Sequence, residues 1–276
     1  MFNIKKSLVT IVCCILLSLC FSYIFTNRHD VSDPVPGIGT EDSTRELRKV
    51  LRQHPEIVLD VIRDNPLELQ KIIVAGQRKA YQESIAKIRN EELKNPKSPA
   101  IGKSLKPMPG SDPDAPVTVV IYSSFQCPNC AQAAATVDEL MKLYPGKLKV
   151  YYKHSTGASN LAFQQALAFE STLLQSPEKA WSLHNYMFEN MATIRADGLS
   201  AVLPYAKKIG IDMKQFSRDM NHQVVLDRLR TDMEENQSFG IQYTPTVMIN
   251  GISVIGTRPL KEYTDVIDHA LKGKEV

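Results

Sequence analysis

Outside its first 20 residues the chain has only two cysteines. Of the five in the sequence, Cys13, Cys14 and Cys20 lie in an apolar N-terminal run, which leaves Cys127 and Cys130. There is no second CxxC and no close histidine pair, since His54, His154, His184, His222 and His269 are scattered. A structural zinc site draws on about four protein ligands, so this chain offers too few. Charge of one sign is also scarce. The net charge is +3, and Lys and Arg alternate with Asp and Glu almost everywhere. That is too weak a field for a nucleic-acid partner, and it describes a solvated surface. With 276 residues, 43% hydrophobic and 23% charged, the chain suits one medium globular domain with an appendage.

What is present is a thiol pair in a particular setting. Cys127-Pro128-Asn129-Cys130 sits where a β-rich run, Val117 to Tyr122, gives way to a helical pattern. A helix N-terminus has unpaired backbone N–H groups and the positive end of the peptide dipole, which stabilises a thiolate at Cys127. A stabilised thiolate attacks and leaves more readily near neutral pH. The spacing thus points to a redox-active dithiol, with an inert structural disulfide as the bland alternative.

The N-terminus reads as an export signal. Lys5 and Lys6 precede an almost uncharged run from Leu8 to Thr26. Such a segment carries the downstream chain across a membrane and leaves the lysines inside. At this length a cleaved signal and a retained anchor both fit. Residues 1–26 are therefore expected to be signal peptide or anchor, with residues 8–26 in the inner membrane if retained, and the protein in the periplasm or cell envelope. Leu19 before Cys20 argues against lipidation there.

A helical arm is expected over 41–93. Ser43-Thr-Arg-Glu46 is a capping-box pattern, and Pro55 and Pro66 fall at first-turn positions of two further helices. Its apolar stripes, Leu47/Val50/Leu51, Val58/Val61/Ile62 and Leu69/Ile72/Ile73, are too small to hold a compact domain alone. The arm is expected to self-associate into a homo-oligomer, a dimer by preference. Residues 94–116 carry six prolines and read as a semi-rigid linker. From Val117 the pattern is β, α, β, with the second strand at Leu148–Tyr152. Residues 159–238 then read as four helices, Asn160–Leu174, Pro177–Met191, Leu199–Ile209 and Met213–Gln237. Trp181, Phe188, Tyr205 and Phe216 are their expected core. Thr246–Ile249 and Ile252–Ile255 flank Asn250-Gly251, a strong hairpin signal, and a helix over 260–271 ends the chain. The expected fold is α/β: a thioredoxin-like core over 117–276 with a helical insertion at 159–238.

Two stretches resemble the DsbA-like thiol–disulfide oxidoreductases of the thioredoxin superfamily. Val119-Val-Ile-Tyr-Ser-Ser-Phe-Gln-Cys-Pro-Asn-Cys130 is similar to their strand and active-site segment, and Gly240-Ile-Gln-Tyr-Thr-Pro-Thr-Val-Met-Ile-Asn-Gly251 to their cis-proline loop and hairpin. Residues 45–101 are similar to an N-terminal oligomerisation region found in a subgroup. The resemblance implies that Cys127 attacks, Cys130 resolves, and Thr244-Pro245 faces them. Pro128, Asn129, Thr244 and Pro245 would then meet the substrate. A cis Pro245 would let the residue before it offer its backbone to an extended substrate strand. Two departures stand out. Asn129 replaces the His of strongly oxidising members, which implies a weaker oxidant. Ile121, six residues before Cys127, stands where many relatives bury an acid, so proton transfer at Cys130 is left to water or substrate.

The expected function is to form or reshuffle disulfides in unfolded exported clients, with no metal or organic cofactor and with a membrane redox partner that resets the dithiol. A disulfide isomerase, a copper-stress redox protein and a non-catalytic envelope scaffold are the competing readings.

Overall fold

A computed structural model describes residues 41–102 and 105–273; the expected signal or anchor at residues 1–26 lies outside them. The chain divides into two compact units, with the boundary between Gly76 and Gln77. In the first unit, α1 (Glu41–Gln53) and α2 (Pro55–Asp64) are followed by the start of α3 (Pro66–Lys94). The proline at the first position of α2 and α3 costs nothing there, because its missing N–H would be unpaired anyway. The apolar stripes of this unit stay open to solvent: Val61 is 59% exposed and Ile72 62%.

The second unit is built on a four-stranded mixed sheet, in the order β2-β1-β3-β4. β1 (Val117–Ser123) is β-branched or aromatic at nearly every position and is buried on both faces, as a central strand requires. It pairs parallel with β2 (Leu148–His154), so that Ile121 sits beside Tyr152 and Ser123 beside His154. β3 (Thr246–Ile249) runs antiparallel to β1 and pairs with β4 (Ile252–Ile255). Between β1 and β2 lies α4 (Pro128–Leu143), whose buried residues Cys130, Ala133, Val137 and Leu140 fall on one helical stripe. One sheet face, with Val117, Val119 and Ile121, packs on Val137 and Leu140 of α4 and on the helical insertion. The other carries Val120, Tyr122 and Met248. This is the thioredoxin-like α/β core with a helical insertion that the sequence predicts.

The insertion departs from four helices. It contains α5 (Asn160–Gln175), α6 (Pro177–Glu189), α7 (Met191–Asp197), a 3₁₀ turn (Gly198–Ala201), α8 (Leu203–Lys208), α9 (Met213–Asp219) and α10 (Gln223–Ser238). The expected helix over 213–237 breaks because His222 turns extended and its Nδ1 accepts the Val224 N–H as a new N-cap. Met191 starts a separate helix because Asn190 ends α6, and Gly198 at φ 68° stops the new one after seven residues. α11 (Leu260–Lys272) closes the fold.

Residues 94–116, expected to be a semi-rigid linker, are docked on the second unit. Lys97 N donates to Gly251 O at 3.1 Å, Ala100 N donates to Glu235 Oε2 at 2.6 Å, and Met108 N donates to Val150 O at 2.7 Å. Leu105 and Ala115 are buried. Prolines stiffen this stretch, but the N–H groups of Lys97, Ala100 and Met108 find partners on the hairpin, α10 and β2. The fit is close enough to demand glycine at 251, where a Cβ would lie 2.2 Å from Lys97 O and φ is +87°. The end of α3 is fixed as well: buried Glu92 accepts from Ser253 N and Oγ, at 2.6 and 2.9 Å, and pairs with Lys97.

α10 is held to the sheet by buried charge. Lys153 is fully buried, and its Nζ donates to Glu235 Oε1 at 2.5 Å and to Ala100 O at 2.8 Å. Tyr122 Oη donates to the same carboxylate at 2.6 Å. Asp232 accepts from His154 N and from Arg228 Nη1. Burial, followed by the Glu235 contact, pushes the Tyr122 phenol far up, so it stays a donor.

Candidate active site

β1 delivers the chain into Ser124–Gln126, and a turn follows in which Cys127 N donates to Ser124 O. Cys127 is the N-cap residue of α4, extended at φ −101°, ψ 115°, with Pro128 behind it in the first turn. Its sulfur therefore stands at the positive end of the helix, beside N–H groups that have no partner within the helix. Cys130, three residues on, turns inward: it is 1% exposed, while Cys127 is half-buried and Pro128 and Asn129 are exposed. Both thiols are free.

Thr244 and Pro245 come to this place from 117 residues away. The Thr244–Pro245 peptide bond is cis. Cys127 Sγ donates to Thr244 O at 3.4 Å. Pro245 is buried, its carbonyl accepts from Gly256 N, and Thr246 Oγ1 ties the loop to Tyr243 O. The six residues singled out in the sequence thus share one surface: one half-buried sulfur, one buried sulfur, and a backbone edge beside the first.

The sequence reading missed several neighbours. Arg195 of α7 donates to Gln126 O at 2.7 Å and to Gln126 Oε1 at 3.2 Å, which places a guanidinium one residue from Cys127. Gln126 Nε2 also donates to Gln165 of α5. Tyr81 of α3 meets exposed Tyr243 edge to face, with ring centroids 5.6 Å apart. No local pattern distinguishes Arg195 or Tyr81 from the other charged and aromatic residues of their helices.

The two thiols differ in electrostatics. Burial pushes the Cys130 thiol up to about 11, opposed by the Ser123 hydroxyl and the Ser124 backbone. Under it lies an aromatic layer. Tyr152 stacks on Phe125 at 5.5 Å and stands edge-on to His184 at 5.0 Å. Burial drives His184 down to about 4, so it is neutral at pH 7. Ile121 is buried between Tyr152 and Val247 and offers no proton-accepting group.

A protein-family model described as Thioredoxin matches residues 105–269. Among curated proteins the chain is 28% identical over 207 residues to Na(+)/H(+) antiporter NhaA 1 of Mycolicibacterium gilvum, a match over 70% of this chain and 33% of that protein. The chain thus spans only about a third of the length of that relative. It is 27% identical over 179 residues to Disulfide bond formation protein D of Bacillus subtilis, a match over 61% of this chain and 78% of the relative. Among solved structures, oxidised BdbD from Bacillus subtilis superposes with a TM-score of 0.56 at 22% identity, over 64% of this chain and 97% of that one. No described helix is long and apolar enough to cross a membrane. The family match takes in both strands of the parallel pair, the thiols at their junction and the hairpin entered through Pro245, more than half of the chain, and on that ground the chain belongs to the thioredoxin family.

Proposed function

We propose that this protein is a thiol–disulfide oxidoreductase, of DsbA-like type, that acts on exported client proteins. The observation that carries this is the half-buried Cys127 sulfur at a helix N-terminus, 3.4 Å from the Thr244 carbonyl. In the oxidised enzyme, a client thiolate attacks Cys127 Sγ and the bond to Cys130 breaks, with its electron pair leaving on Cys130. A second client thiolate attacks the client sulfur of the mixed disulfide and releases Cys127. The client loses two electrons and the enzyme gains them. The backbone of Thr244 would pair with an extended client segment, and Pro128 and Asn129 would border it. A membrane redox partner would restore the disulfide. The apolar run at residues 8–26 supports export, to a compartment where disulfides persist.

Equilibration with glutathione redox buffers tests this reading. The Cys127–Cys130 couple is expected between about −270 and −120 mV, the range spanned by catalytic dithiols. A potential below about −300 mV would identify a static structural disulfide and sink the proposal.

The open apolar stripes of α1–α3 favour a homo-oligomer, with paired sites that suit isomerisation. The proposed associating segment ends at residue 76 and not at 93, since the later part of α3 packs within the second unit, where Arg89 pairs with Glu262 and Glu92 with Ser253. Light scattering of the exported protein at micromolar concentration is expected to give a multiple of the chain mass, and Val61→Asp with Ile72→Asp to return it to one chain. A single-chain mass before substitution defeats association.

A further inference from the structure

β1 alternates its side chains across the sheet. Ile121 and Ser123 therefore share the face that carries α4 and Cys130, while Tyr122 points to the other face. The parallel register puts Tyr152 and His154 on the same face as Ile121 and Ser123. This chain is apolar at Ile121 and places a hydroxyl at Ser123, on the same face and two residues nearer Cys127. Ser123 is 1% exposed and Tyr152 2%; the Ser123 hydroxyl lies near enough to Cys130 and to Tyr152 to act on both, yet neither Ser123 Oγ nor Tyr152 Oη meets the geometry of a hydrogen bond.

Two unsatisfied hydroxyls in the interior are costly. Their natural acceptor is the neighbouring Cys130 sulfur, which needs donors only while it carries charge. Burial, the largest cause, disfavours that charge and keeps Cys130 a thiol near neutral pH.

Resting on the oxidoreductase reading above, we propose that Ser123 is a catalytic residue that donates its hydroxyl to the Cys130 sulfur as that sulfur attacks, and that Tyr152 positions it by donating to Ser123 Oγ. In the resolving step Cys130–SH and Cys127–S–S–R give Cys127–S–S–Cys130 and R–SH. The sulfur–sulfur bond to R breaks, the new one forms, and the Cys130 proton ends on the departing R thiolate. Neither hydroxyl takes a net proton.

The other ionisable groups that face this layer come from several elements. His154 of β2 bonds buried Glu170 of α5 at 2.9 Å, His184 of α6 is neutral at pH 7, and Asp232 of α10 is bound by His154 N and Arg228. Cys127 carries no charge during this step. Those groups are common to the parent and to its hydroxyl-deleted variants, so a shift between them reports the hydroxyls.

The reduced chain carrying Cys13→Ala, Cys14→Ala and Cys20→Ala, in which Cys127 and Cys130 are the remaining thiols, releases one thionitrobenzoate from 5,5′-dithiobis(2-nitrobenzoic acid) when Cys127 attacks and a second when Cys130 resolves the adduct. The first release is the internal reference. Ser123→Ala is expected to slow the second release about tenfold relative to the first and to raise its pH midpoint by about one unit, the loss of one hydrogen bond to a charged group. Tyr152→Phe should move both in the same direction, by about threefold in rate. An unchanged midpoint in Tyr152→Phe overturns the proposal, whether or not the rate falls, and decides the matter if Ser123→Ala does not fold. A parent protein that releases one equivalent and forms no internal disulfide overturns the oxidoreductase reading itself.

Discussion

Replacing Cys127 with Ser is expected to lower disulfide exchange with a reduced client protein by at least about 1,000-fold, to the uncatalysed rate, because a hydroxyl at a helix N-terminus is not ionised near neutral pH. Cys130→Ser should behave differently. Cys127 remains half-buried at the end of α4 and still attacks, yet nothing inside the protein displaces the client. Covalent adducts that survive non-reducing electrophoresis and dissolve with dithiothreitol are the expected product. Adducts on Cys130 in the Cys127→Ser variant, at comparable yield, would show that burial does not separate the roles of the two thiols.

The second large effect concerns stability. Lys153→Met is expected to destabilise the protein by about 3–5 kcal/mol, because it strips the cation from a buried group of carboxylates and leaves Glu235 uncompensated. Chemical denaturation monitored by the single Trp181 gives the value. Joining it with Glu235→Gln should recover part of the loss, since two neutral partners are cheaper to bury than one unpaired charge. A loss below about 1 kcal/mol for Lys153→Met would show that water already reaches this site.

Much of the fold was legible in the chain, and the limits have physical causes. Val117 to Tyr122, Pro128 at a first helical turn and Asn250-Gly251 are local signals, and local signals place β1, α4 and the hairpin. Which loops meet is a tertiary fact. That Thr244 lies against Cys127 came from resemblance alone, since periodicity cannot bring together residues 117 apart in the chain. Lys153 and Ser123 fall one residue beyond the strands read from the sequence, and only the packing of α10 and the strand register show that both are interior. Residues 94–116 read as a linker because proline content reports local stiffness and says nothing about what the chain lies on.

The docking of that stretch has a consequence for the proposed work on unfolded chains. An open sheet edge is a template for any extended polypeptide, and an unfolded client supplies many. Here the β4 margin is occupied by Glu92 on Ser253 N and by Lys97 on Gly251 O, and the β2 margin by Met108 on Val150 O. On the proposed function, main-chain pairing with a client would be steered away from both flanks of the sheet and toward Thr244, beside the Cys127 sulfur. Fencing the flanks would then guard against co-aggregation with the client.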